Sequence, residues 1–157
     1  MDHGAGSYRR FLAGDDEGLR EIICEYREGL MLYLNSFVQN LHTAEDLTED
    51  TFAELAIRCP RFSGNSSFKT WLYAIGRNLT MKYLRKQKRL AIVPLESQEY
   101  LADEISLENN YIRNEQKQMV HRAMHRLKAE YRQVLYLSYF EGFSNAEIAQ
   151  VMKKSRR

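Results

Sequence analysis

No Asp or Glu occurs between Leu55 and Leu95, in a chain of 157 residues that holds 21 acidic residues. This gap excludes from the stretch the convergent carboxylates that a nucleic-acid-processing active site needs. Proline is scarce, with two residues, and glycine numbers eight, so breaks are few and helices are favoured. Cysteine is limited to Cys24 and Cys59. Two lone thiols make no disulfide framework, and they fit a reducing interior as small buried hydrophobes. No window approaches the ~20 apolar residues of a membrane span. The N-terminal MDHGAGSYRRFLAGDDEG lacks an apolar core of signal-peptide length. The expectation is a cytoplasmic protein without membrane insertion.

The acid-free stretch carries nine basic residues: Arg58, Arg61, Lys69, Arg77, Lys82, Arg85, Lys86, Lys88 and Arg89. Met1 to Glu54, by contrast, has four basic and twelve acidic residues, a net of −8. Glu96 to Arg157 is nearly balanced at +1, so the total of +2 hides a strong segregation. A one-sign basic block interleaved with rings suits a phosphate backbone. The acidic block points to a second, basic partner. Hydrophobic content of 44% and charged content of 28% fit one ordinary globular domain or two small ones.

Periodicity predicts an all-α chain. Asp15 and Asp16 offer caps for a helix to about Gln39, with Leu19, Ile22, Ile23, Tyr26, Leu30, Tyr33, Leu34, Phe37 and Val38 on one face. Thr43 with Asp46 reads as a variant capping box opening a second helix, with Leu47, Thr51, Phe52 and Leu55 inward and Pro60 as its stop. After the loop Phe62–Ser67, a third helix runs from Phe68 to about Lys86, its core stripe being Phe68, Trp71, Leu72, Ile75, Leu79 and Tyr83. Residues 91–107 lose the period and hold Pro94 and several acids, which reads as a linker. A fourth helix includes Tyr111 to Leu127, a fifth faces inward with Tyr131, Val134, Leu135 and Ser138, and Gly142 caps it. Ser144 and Glu147 form a capping box for a sixth, with Ile148, Ala149, Val151 and Met152 inward. The organisation is therefore two small helical domains, 1–90 and 108–157, joined by the acidic linker.

AEDLTEDTF (Ala44–Phe52), RFSGNSSFKTWLYAIGRNL (Arg61–Leu79) and YLRKQKR (Tyr83–Arg89) together resemble the sigma-2 domain of extracytoplasmic-function (ECF) sigma factors. LKAEYRQVLYLSYFEGFSNAEIAQVM (Leu127–Met152) resembles the opening of the sigma-4 domain of the same family. The resemblance covers roughly three quarters of the chain. It implies a bacterial transcription initiation subunit whose partners are core RNA polymerase, promoter DNA and an anti-sigma protein.

Carried over by position, Glu45, Asp46, Leu47, Glu49, Asp50 and Phe52 match the segment that docks on core polymerase, with Glu49 where many members carry Gln. An acidic surface beside exposed apolar anchors suits a basic helical partner. The loop Phe62, Gly64, Asn65, Ser66 and Ser67 matches the segment receiving an unstacked base of the −10 element, and Asn78 a position lining that pocket. Extruding a base costs a few kcal/mol, so a snug polar-lined pocket is what the task requires. Phe62 suits either an apolar wall or core packing, and Ser66 or Ser67 also suits helix capping. Trp71 falls on the core stripe, whereas Tyr73 falls off it and is freer to meet a base. Lys69, Arg77, Lys82, Arg85, Lys86, Lys88 and Arg89 are assigned to phosphates, which give affinity and register without sequence information.

Ser144, Glu147 and Ala149 match the first helix of a helix-turn-helix, and Ser155, Arg156 and Arg157 the first turn of its recognition helix. The remainder of that helix is missing, Lys153 stands in the usual glycine place, and −35 readout is not expected from such a truncated motif. His121 and His125 have metal-ligand spacing, but no companion ligands accompany them. No catalytic constellation, cofactor motif or small-molecule site is evident, so the expectation is a binding protein and not an enzyme. The competing readings are a stand-alone helix-turn-helix regulator and a truncated sigma factor that competes for core polymerase.

Overall fold

A computed structural model describes residues 2–90 and 115–153. Among these residues the structure is all-α, with no strand. Its helices are α1 (His3–Leu12), α2 (Asp16–Val38), α3 (Leu41–Arg58), α4 (Phe68–Leu90), α5 (Glu115–Met124), α6 (Ala129–Leu135) and α7 (Asn145–Met152). A π-helical turn, Tyr136–Phe140, continues α6. The whole of the linker segment expected at 91–107 lies outside the described residues, as do Tyr111 and Ile112.

Side-chain caps set several of the helix starts. Asp15 caps α2 by accepting from the Glu17 amide at 3.0 Å. Asn40, not Thr43, opens α3: its Oδ1 accepts from the Thr43 amide at 3.0 Å, so the expected Thr43–Asp46 box is displaced by three residues. Ser67 caps α4 through the Thr70 amide at 3.1 Å. The reciprocal box of Ser144 and Glu147 forms as expected, with bonds of 3.2 and 2.8 Å. The sequence does not announce α1, because Gly4 and Gly6 lower its propensity and no apolar period runs through it. Packing overrides that: Gly4, Ser7 and Tyr8 are buried, and Asp2 caps it through the Ala5 amide.

α2 is the central strut, with α1, α3 and α4 packed around it. Leu30, Leu34, Leu47, Leu55, Phe68 and Leu72 fill the space between them. At Gly76 of α4, an added Cβ would lie 3.0 Å from a Leu30 methyl and 3.3 Å from the Thr51 hydroxyl, so the missing side chain permits this close approach.

The C-terminal helices share this core. Tyr136, Leu137, Phe143, Ile148, Val151 and Met152 belong to the same apolar cluster as Leu30, Tyr33 and Tyr73. α6 packs on α2, and α7 on α4. The α6 face is rotated from the expected one: Tyr131, Val134 and Leu135 are exposed, whereas Arg132, Gln133, Tyr136 and Leu137 are buried. Periodicity assigns polar Arg132 and Gln133 outward, yet both have partners inside. The Arg132 guanidinium donates to the carbonyls of Ser36, at 2.5 Å, and Leu127. Ser36 lies in the last turn of α2, where a cation also meets the negative end of the helix dipole. Gln133 Oε1 accepts from Tyr33 Oη at 3.4 Å and Arg77 Nε at 3.2 Å. The thiols of Cys24 and Cys59 are exposed, against expectation, because Cys24 lies off the apolar face of α2 and Cys59 is the left-handed residue ending α3.

Candidate nucleic-acid and polymerase interfaces

Three surfaces carry the sequence-predicted residues. The first is the outer side of α4. Asn78, Lys82, Arg85 and Arg89 recur at spacings of four, three and four and form an exposed row, flanked by Lys86 and Lys88. No carboxylate among the described residues pairs with Lys82, Arg85, Lys86, Lys88 or Arg89. Such a row of unpaired, solvated cations is suited to a phosphate backbone.

The second is a cleft of about 400 Å³ where the loop after α3 meets α1. Phe62, Ser63, Gly64 and Ser66 line one side, and Ala5, Tyr8, Arg9 and Leu12 the other, with Arg61 and Asp2 at its edge. Gly64 has φ +78, a left-handed turn that a side chain would strain. Both ends of the loop are tied to α1. The Tyr8 hydroxyl donates to the Pro60 carbonyl, and Asp2 Oδ2 accepts from the Phe68 amide at 2.7 Å. Asp2 thus caps two helices at once. Burial pushes the Tyr8 phenol up to about 12, with Cys59 adding to the effect. Phe62 lines the cleft and also packs its ring 5.1 Å from Trp71 and 5.8 Å from Phe68.

The third is the outer face of α3, where Asp46, Glu49, Asp50, Ala53 and Ile57 are exposed at three- and four-residue intervals. Glu45 sits beside this face, ion-paired to Arg27 at 2.7 Å.

Two family models match the chain. Sigma-70 region 2 matches residues 22–90, which contain α3, the loop and α4. Sigma-70, region 4 matches residues 117–157. The chain belongs to the sigma-70 family, in its ECF branch. The ECF RNA polymerase sigma factor SigW of Bacillus subtilis is 26% identical over 148 residues, covering 88% of this chain and 79% of that protein. RNA polymerase sigma-H factor of Pseudomonas aeruginosa is 29% identical over 153 residues, covering 92% and 79%. ECF RNA polymerase sigma factor BldN of Streptomyces coelicolor is 28% identical over 148 residues, covering 93% of this chain and 56% of the relative.

Against this family pattern several expectations need correction. Leu47 and Phe52 are not exposed anchors: they are only 5% and 6% accessible, packed beneath α3. The large apolar residue on the acidic face is Ile57, 81% exposed and outside the Ala44–Phe52 motif. Its signal was available, since Ile57 falls on the Asp46–Asp50–Ala53 face of the helix. Tyr73 is not free for a base. It is fully buried, stacked 5.4 Å from Tyr33 and packed 5.4 Å from Phe143. Burial, with the Glu141 carboxylate nearby, holds its phenol well above the usual range. Lys69 is ion-paired with Glu141 at 2.5 Å, and Arg77 donates its Nε–H to the neutral Gln133 Oε1 at 3.2 Å, so both are engaged by the C-terminal helices though only Lys69 is neutralised.

Ser66 and Ser67 divide their roles: Ser66 lines the cleft while Ser67 caps α4. Asn65 is exposed at the loop tip. In the region 4 lobe, Ser144 and Glu147 are spent on the capping box, and Ala149 is exposed rather than inward. Lys153 adopts φ 46, the left-handed geometry expected of the turn despite its side chain. Ser155, Arg156 and Arg157 lie outside the described residues. No group of three or more His, Cys, Asp or Glu among the described residues is placed to hold a metal ion. No helix among them is long and apolar enough to cross a membrane.

Proposed function

We propose that this sigma factor docks on core RNA polymerase through the acidic outer face of α3 and captures an unpaired −10 strand with the α1–loop cleft and α4. Asp46, Glu49 and Asp50 supply the charge for a basic helical partner, and Ile57 the apolar contact at the end of that face. The row Lys82, Arg85, Lys86, Lys88 and Arg89 tracks the phosphates of the strand. One base, turned out of the stack, enters the cleft, where Ser63, Ser66 and backbone amides meet its edge and Phe62 its face. Arg9 and Arg61 flank the mouth, suited to the phosphates on either side of that base.

The chain contributes binding, in the cytoplasm, while polymerase contributes the chemistry. An anti-sigma protein that covers α3 and α4 would silence both steps. The observation that supports this reading most directly is the row of cations on the C-terminal half of α4, with no carboxylate among the described residues to neutralise it, on the helix whose N-terminus follows the cleft loop. Its test is reconstitution with bacterial core polymerase and run-off transcription from promoters varied at −10 and −35. Initiation that follows the −10 sequence is the expected result. Core binding without initiation would favour a competitor of other sigma factors. Duplex binding without core binding would favour a stand-alone regulator.

A further inference from the structure

The N-terminal half of α4 is occupied. Lys69 Nζ lies 2.5 Å from Glu141 Oε2 and 5.3 Å from the centre of the Phe143 ring. Arg77 donates to Gln133, and Phe143 packs on Tyr73. The π-helical turn makes this possible by delivering Glu141 directly after Phe140, with the Glu141 amide bonded back to the Tyr136 carbonyl at 3.3 Å. The Tyr136 hydroxyl donates to the Gly29 carbonyl at 3.4 Å. Gly29 itself has no room for a side chain: a Cβ there would lie 2.7 Å from the Tyr73 hydroxyl and 2.9 Å from Glu141 Oε1. Arg132 secures the other end of the contact on the Ser36 carbonyl.

We infer that the C-terminal helices are an intramolecular competitor of nucleic acid, with Glu141 holding on Lys69 the place a phosphate would take. This rests on the reading of α4 as a nucleic-acid surface. A carboxylate and a phosphate make the same kind of charge-assisted bond to a lysine, so exchange at Lys69 is nearly balanced on charge alone. What tips it is the rest of α4. Lys82, Arg85, Lys86, Lys88 and Arg89 stay open while the lobe is docked, so a strand lands there first. From that foothold it reaches Arg77 and Lys69, and the docked helices must leave. Affinity in the closed chain is reduced by the fraction of molecules that are open.

The reciprocal test uses the intact chain and a labelled single-stranded DNA oligonucleotide of mixed sequence. Binding of that DNA to the unmodified protein should speed amide hydrogen exchange in residues 129–152, because each ligand excludes the other. Glu141→Ala and Gly29→Ala, neither of them a nucleic-acid contact, should speed exchange in the same segment without DNA. Both should bind the oligonucleotide at least about fivefold more tightly. DNA binding that leaves exchange in 129–152 unchanged would overturn the inference, as would a variant with faster exchange and unchanged affinity. Absence of DNA binding by every form at low salt is a different failure: it would remove α4 as a nucleic-acid surface, and this competition with it.

Discussion

Neutralising part of the α4 row should change how the protein responds to salt in a calculable way. Each phosphate contact on a single strand contributes about −0.7 to the slope of log affinity against log salt. Lys82, Arg85, Lys86, Lys88 and Arg89 alone then set a slope of about −3.5, or a loss of about 130-fold between roughly 50 and 200 mM salt. The variant Lys82→Ala/Arg85→Ala/Lys86→Ala removes three contacts, which flattens the slope by about 2. Its deficit against the parent should therefore shrink by about 20-fold over the same salt range. The three side chains are exposed and have no ion-pair partner among the described residues, so thermal unfolding should be unchanged. Fluorescence anisotropy with a labelled single strand, titrated at four salt concentrations, measures the slope. A variant with the parent's slope would refute the assignment of these cations to phosphates, whatever its affinity.

On α3, Asp50→Lys with Ile57→Ser should weaken core polymerase binding by about tenfold or more while leaving stability alone, as surface plasmon resonance and thermal melts would show. Phe52→Ala acts oppositely: a buried ring is lost, and stability falls by about 3–5 kcal/mol in urea denaturation. Asp2→Ala removes acceptors from the starts of α1 and α4 and should cost about 2 kcal/mol, read the same way. Lys153→Gly relieves a left-handed residue and should steady the end of α7 by up to about 1 kcal/mol, seen as slower hydrogen exchange there. Alkaline pH should unfold the protein through its buried phenols. Tyr8 titrates at about 12, and burial also raises Tyr26, Tyr33 and Tyr73. Since the folded state holds these protons more tightly, their stabilisation is intact below about pH 10 and is lost as pH climbs through about 12. Helicity and tyrosinate absorbance should change together; phenols that all ionise near 10 with helicity retained would contradict the burial.

The parts of the fold that were legible in the sequence are those fixed locally. α2, α4 and α7 announce themselves through a capping residue followed by a steady apolar period, and their starts fall where those signals place them. α1 is illegible because its stability comes from packing on α2, and through Tyr8 and Gly4 on residues more than fifty positions away, not from its own composition. The same reason explains Tyr73 and the face of α6. A stripe read along one helix cannot reveal that Arg132 is satisfied by a carbonyl of α2, or that Phe143 covers the far side of α4. Leu47 and Phe52 show the reverse error. Their spacing places them in the core, where they are found, and the family motif alone suggested the surface.

The double tether of the cleft loop has a consequence for how such proteins diversify. Because Tyr8 holds the Pro60 carbonyl and Asp2 holds the Phe68 amide, the segment between them is a cassette with fixed attachment points. Residues 63–66 can be replaced without disturbing the helices that carry them, while Phe62 keeps its packing on Phe68 and Trp71. Lengthening the segment by a residue or two adds only a few tenths of a kcal/mol in closure entropy. If the cleft receives a base as proposed, a loop transplanted between relatives that keep both tethers would bring its base preference with it. New promoter choice is then reachable by exchange of a handful of residues, with the acidic outer face of α3 left as it was.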